Sequence, residues 1–168
     1  MKLIRKVNGL FEFFAKIFTE EIAVFLMSMM PVIELRGAIP LGVGLGMDPM
    51  RAAIIAVAGN CLIVPILLLI INPLFYHFKK LNALRGFVNR YEERATKKIG
   101  HYREYRLLGL YLLVAIPLPM TGAYTGCVAA VITKVSFKKA CIAIMAGVIT
   151  AGFLVYLLSY YFHVMFLT

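Results

Sequence analysis

Long apolar runs, broken at a few places by Gly, Pro or embedded charge, organise this chain. From Leu10 to Phe25 the positions Leu10, Phe13, Phe14, Ile17, Phe18 and Ile22 recur at three- and four-residue spacing. That spacing predicts an amphipathic helix at a membrane interface, or the start of a span. Glu12, Lys16, Glu20 and Glu21 interrupt it and no small-residue cleavage site follows, so a cleaved signal peptide is not expected. Residues 22–47 stay apolar but hold Pro31, Gly37, Pro40, Gly42, Gly44 and Gly46. Proline removes a helical hydrogen bond and clashes with the preceding turn, so a broken hairpin over 31–47 is expected in place of a straight span.

Asp48-Pro49 has the form of a helix start, with Asp as N-cap and Pro at the first helical position. The apolar run behind it predicts a membrane helix over 49–76, with Pro65 as a kink point. Residues 77–106 are hydrophilic, and Leu81, Leu84, Val88, Tyr91, Ala95 and Tyr102 keep helical spacing, which predicts a connector helix. Apolar character returns over 107–133 and breaks at Pro117-Leu118-Pro119-Met120-Thr121-Gly122, a second expected hairpin. Ser136 is the expected cap of a second membrane helix over 137–167, longer than a perpendicular span needs.

Composition agrees: 62% of the 168 residues are hydrophobic and mean hydropathy is +0.87, against roughly 45–50% apolar in soluble domains. A soluble fold is excluded, and one membrane domain is expected. The length has room for about four to six spans of about 20 residues, and two broken runs lower that number. A net charge of +10 suggests nucleic acid in a soluble protein. In a membrane protein it reports orientation, because Lys and Arg collect on the cytoplasmic side. Nine basic residues against three acidic ones lie between Lys79 and Arg106, which makes 77–106 the cytoplasmic connector, facing anionic lipid head groups. Lys134, Lys138 and Lys139 are cytoplasmic as well if 107–133 dips and returns. Cys61, Cys127 and Cys141 lack metal or redox spacing and read as small core residues. No zinc, serine-nucleophile or phosphatase motif appears, so neither an enzyme nor a cofactor is expected.

Two blocks repeat. Arg36-Gly37-Ala38 matches Thr121-Gly122-Ala123 at an offset of 85 residues, and Asp48 matches Ser136, as Gly59 matches Gly147, at 88. The expected fold is therefore an all-α integral membrane protein with an internal, inverted repeat. Repeat one is 1–76 and repeat two 107–168, and two opposed re-entrant hairpins accompany the long helices. Gly/Pro-interrupted segments at matching positions point to a transporter binding site. Exposed backbone is tolerated at membrane depth only where it is buried in protein or lines a watery cavity.

Glu34 and Arg36 are the charges embedded in the first break. A central membrane charge costs about 2.5–3.5 kcal/mol on insertion scales, so a pair persists when paired, hydrated or used. In an extended segment both side chains face one cavity, with Gly37 and Pro40 beside them. The second break offers Pro117, Pro119, Thr121, Gly122, Tyr124 and Thr125, with Thr121 also suited to local backbone capping. Asn60 is either a cavity residue or the donor of an ordinary interhelical hydrogen bond.

The stretches Glu34-Leu35-Arg36-Gly37-Ala38-Ile39-Pro40-Leu41-Gly42 and Ile116-Pro117-Leu118-Pro119-Met120-Thr121-Gly122-Ala123-Tyr124-Thr125-Gly126 resemble the two signature segments of the small multidrug export protein family. Gly59-Asn60 fits the same pattern, and the resemblance runs from about Met30 to about Phe153. That family is similar, at a distance, to the DedA superfamily. The resemblance implies two facing re-entrant hairpins and a transporter or lipid-scramblase role. Some bacterial relatives are linked to moving a polyprenyl-phosphate carrier lipid and to the proton-motive force. DedA-type second hairpins tend to carry Arg where this chain has Pro119 and Thr121, so phosphate binding is not carried over to that hairpin.

The expected function is a small transporter or exporter of a bacterial or archaeal cytoplasmic membrane. It is expected to be coupled to protons and to handle an amphiphile or an anionic lipid head group. Efflux of a lipophilic cation and a non-transporting scaffold are the alternatives. A chain this short is a candidate for homo-oligomer formation.

Overall fold

The computed structural model describes residues 19–80, 103–118 and 121–167. Residues 10–18 of the expected interfacial helix, most of the connector and Pro119 lie outside them. Among the described residues there are six helices and no strand: α1 (Glu20–Ser28), α2 (Glu34–Gly44), α3 (Pro49–Lys80), α4 (Arg103–Ala115), α5 (Ala123–Ile132) and α6 (Phe137–Leu167).

The chain divides into two compact units, one of Met1–Ile63 with Val148–Thr168, the other of Val64–Gly147. The first holds α1, α2, the start of α3 and the end of α6. The second holds the rest of α3, then α4, α5 and the start of α6.

Helix α3 has 32 residues and α6 has 31, lengths of about 48 and 46 Å at 1.5 Å per residue. Each exceeds the roughly 30 Å hydrocarbon core. Their apolar windows, with mean hydropathies of 2.8 and 2.4, are buried over only 28% and 33% of their length. A core helix of a soluble protein hides most of its apolar surface; these leave Ile54, Leu62, Leu69, Ile70, Ile142, Ile149 and Phe153 more than half exposed. A single stripe faces inward on each, Ala52, Ala56, Val64 and Leu68 on α3 and Ala140, Ile144, Val148, Ala151 and Val155 on α6. Pro65 and Pro73 stand inside α3, which continues to Lys80, past the expected end at residue 76.

The other helices are short. α1 and α2 have 9 and 11 residues, α4 and α5 have 13 and 10, so each is about 14–20 Å long, too short to cross alone. In the first unit the break falls over 29–33, and Pro40 sits inside α2 instead of ending it. This corrects the expected broken stretch of 31–47. The break is a five-residue turn, and α1 rather than 31–33 supplies the first arm.

Both short second helices end alike. After α2, Met47 N–H donates to Gly42 O (3.0 Å) and Gly46 N–H to Val43 O (3.0 Å), with Gly46 at φ 97°. After α5, Val135 N–H donates to Ala130 O (3.0 Å) and Lys134 N–H to Val131 O (3.1 Å), with Lys134 at φ 53°. Each is a Schellman end, whose left-handed residue suits Gly and strains Lys. The following helix starts differ. Asp48 Oδ1 accepts from Arg51 N–H (2.9 Å), the cap that the Asp-Pro pair predicts. Ser136 accepts through its backbone carbonyl from Ala140 N–H (2.9 Å), and its hydroxyl makes no capping bond.

Candidate functional site

In the first unit α1 runs into the turn and α2 returns from it. Gly42 brings α2 against its neighbours: a Cβ there would meet Val24 on α1 at 2.9 Å and Ala52 on α3 at 3.3 Å. Gly59 brings α3 against the end of α1, where a Cβ would collide with Ser28 Oγ and lie 2.7 Å from Phe25 O. Ser28 is fully buried and donates its hydroxyl to that same carbonyl (2.7 Å).

These contacts set depths. Glu34 lies eight residues before Gly42 on α2, and Asn60 eight residues after Ala52 on α3. At 1.5 Å per residue each sits about 12 Å along its helix from the Gly42–Ala52 contact. The Gly59–Ser28 contact brings the end of α1 to the same level. Glu34, Arg36, Ser28 and Asn60 therefore share one depth in the first unit.

Glu34 opens α2 at φ 49°, a left-handed conformation for a non-glycine residue. Its N–H donates to Met30 O (2.9 Å), which closes the turn. Strain of this kind costs of order 1–3 kcal/mol and concentrates at functional sites. Glu34 and Arg36 are both half-buried, and the carboxylate acts electrostatically on the guanidinium. The segment is helical, so the extended geometry expected for this pair does not hold. Two residues apart on a helix are turned about 200° from each other. Gly37 lies in the first turn of α2, where a Cβ would meet Ile33 Cγ2 at 2.8 Å, and Pro40 is exposed.

Asn60 is fully buried, and neither its Oδ1 nor its Nδ2 has a hydrogen-bond partner among the described residues. Among the described residues, the interhelical bond that would make it an ordinary packing residue is not formed. An unsatisfied buried amide costs about 1–3 kcal/mol.

In the second unit the break between α4 and α5 is held by its own hydroxyls. Thr121 Oγ1 donates to Leu118 O (2.9 Å) and lies 3.2 Å from Ile116 O. Thr125 Oγ1 accepts from Gly122 N–H (2.8 Å) and lies 3.0 Å from Gly122 O. Thr121 is thus the local cap that its position allowed, and Thr125 acts likewise. Pro117 and Tyr124 are half-buried beside them. At the far end of the hairpin Arg106 Nη1 donates to Thr133 O (3.2 Å), tying the start of α4 to the end of α5. Sequence reasoning missed Ser28 and Arg106, because a lone Ser in an apolar run and one Arg of a basic stretch carry no pattern of their own.

Among the described residues no group of His, Cys, Asp or Glu is arranged to hold a metal ion. Cys127 lies buried and directs its thiol at Val64 O (3.8 Å).

Two long apolar helices with lipid-like exposure, and two breaks lined by glycine, proline and polar groups, define an integral membrane protein of the helical type. The family described as "Putative small multi-drug export protein" matches residues 34–154, more than two thirds of the chain, and the chain belongs to that family. The match begins at Glu34, immediately after the first break, and takes in the second. By its description the family is one of exporters, which is not an enzyme class. No curated protein and no solved structure matches the chain.

Proposed function

We propose that this chain is a proton-coupled transporter whose site is the break at the tip of the first hairpin. Glu34 is the titrating group, and Arg36 is the cation that receives an anionic head group of a lipid or small amphiphile. One observation carries the reading: an acid–base pair, one member at a left-handed φ, at the turn between two helices too short to cross a bilayer. Charges at that depth are expensive and mark transport sites.

The two units support an inverted repeat. Gly46 and Lys134, Asp48 and Ser136, Ala52 and Ala140, and Gly59 and Gly147 are all 88 residues apart and hold matching places in the two units, although Asp48 caps its helix through its side chain and Ser136 does not. Counted at 88, Glu34 corresponds to Gly122, and the sequence match of Gly37 to Gly122 is out of step. The charges support opposed re-entry. The hairpin of α1 and α2 opens toward Glu20, Glu21 and Asp48 with the single cation Arg51 among them, that of α4 and α5 toward Arg106, Lys134, Lys138 and Lys139. By the positive-inside rule the first opens outward and the second to the cytoplasm, where the connector 77–106 also lies. Motion of one repeat against the other then exposes the site to each side in turn.

The family description favours a second substrate class, lipophilic cations, for which Glu34 is the binding charge. Flux in proteoliposomes separates the two. With a labelled polyprenyl phosphate as probe and an imposed proton gradient, Arg36→Ala abolishes movement while Glu34→Gln uncouples it from the gradient. A labelled lipophilic cation carried by wild type and by Arg36→Ala defeats the anion reading. Full flux of both probes in both variants defeats the site.

A further inference from the structure

Asn60 shows what its missing partner must be. The carboxamide presents a donor and an acceptor side by side, and neither has a partner among the described residues at full burial. A metal cation answers only Oδ1, and an ionised carboxylate answers only Nδ2. A protonated carboxyl answers both: its O–H donates to Oδ1 and its carbonyl accepts from Nδ2–H. Of the described residues at this depth in the first unit, Glu34 has that chemistry.

The second repeat, residues 107–168, supplies an internal control. The residue 88 positions after Asn60 is Val148, also fully buried. The same place on the second long helix is filled by an aliphatic side chain, so packing does not call for an amide at Asn60. Glu34 is likewise replaced in the second repeat, by Gly122. Acid and amide occur together in one repeat and are absent together from the other.

We infer that the coupling proton is held between Glu34 and Asn60. Ionised, Glu34 balances the charge of Arg36. On taking up a proton its carboxyl turns to Asn60, giving its O–H to the amide oxygen and receiving the amide N–H. Arg36 keeps its charge, so the pair goes from net zero to net positive, and the protonated state is the one that attracts an anion. This rests on the transporter reading above for its purpose, though not for its chemistry. Of the other ionisable groups on these elements, Cys61 adjoins Asn60, while Glu20 and Glu21 lie in the first turn of α1, Asp48 and Arg51 at the start of α3, and Tyr156, Tyr160 and Tyr161 on α6. Glu21 pairs with Arg51 at the far end of the unit.

The test is an infrared pH titration of the purified full chain in lipid. The protonated-carboxyl stretch of Glu34 is identified as the band lost in Glu34→Gln. In Asn60→Val, which copies the second repeat, proton affinity falls about tenfold, one pH unit, for a lost hydrogen-bonded partner. The stretch moves to higher frequency, while thermal stability rises. Asn60→Ser keeps a donor and an acceptor and gives an intermediate midpoint, which holds the test open if the valine variant fails to fold. An unchanged midpoint and band in both variants overturns the inference and leaves Asn60 a buried amide served by water. A shifted midpoint in a protein whose flux ignores Glu34→Gln upholds the proton site and defeats the transport reading; an unmoved midpoint with flux lost in Glu34→Gln does the reverse.

Discussion

The two units share a frame and differ in what they hold. In each, a glycine of the long helix is pressed against a backbone carbonyl of the first short helix, Gly59 2.7 Å from Phe25 O and Gly147 2.9 Å from Tyr111 O, measured from an added Cβ. In each, the second short helix ends in a Schellman turn and hands over to a long helix. Their breaks differ. That of the second unit is closed by hydroxyls bonded to their own backbone. That of the first carries a strained Glu34, a charged Arg36 and an amide with no partner among the described residues. A frame repeated with an embedded acid, base and buried amide at one break and self-bonded hydroxyls at the other separates what folding needs from what function adds.

The largest effects should fall on the shared frame. Gly59→Val and Gly147→Val both drive a side chain into backbone that has no room to yield. Each should destabilise by about 3 kcal/mol, the upper end for overpacking, read as thermal unfolding in detergent. A large loss for one and none for the other would break the equivalence of the units.

Helix starts come next. Asp48→Ala removes a formed N-cap and should cost about 1 kcal/mol. Ser136→Ala removes a hydroxyl that caps nothing and should be neutral within a few tenths of a kcal/mol. The Schellman ends give the smallest changes and opposite signs. Lys134→Gly relieves a left-handed lysine and should stabilise by up to about 1 kcal/mol, while Gly46→Ala should destabilise by a similar amount. Both are read by the same melt.

Much of this frame was legible in the sequence. Asp48-Pro49 marked a real helix start, and the apolar runs behind it and behind Ser136 marked both long helices. The first break was harder to read. Pro40 seemed to end a helix and instead sits on the exposed side of α2, where its ring meets no packed neighbour helix. The turn forms over 29–33, where Pro31 is the one residue with turn propensity, because the packing of α1 against α2 and of Gly59 against Ser28 fixes where the chain reverses. Glu34 and Arg36 stood out as charges in apolar sequence, but their helical arrangement and the unanswered amide of Asn60 depend on contacts between helices. Ser136 looked like a cap equal to Asp48, and only its geometry shows the hydroxyl unused.

The most direct measurement compares the two breaks in one flux assay. Proteoliposomes carrying wild type, Glu34→Gln, Arg36→Ala, Thr121→Val or Thr125→Val are driven by the same proton gradient with the same labelled polyprenyl phosphate. Gradient-driven flux should fall at least about tenfold in the first two variants, the scale of one lost charge-assisted interaction, and stay within about threefold of wild type in the two threonine variants. Wild-type flux in Glu34→Gln and Arg36→Ala, with loss in the threonine variants, would put the chemistry in the wrong unit and contradict the account.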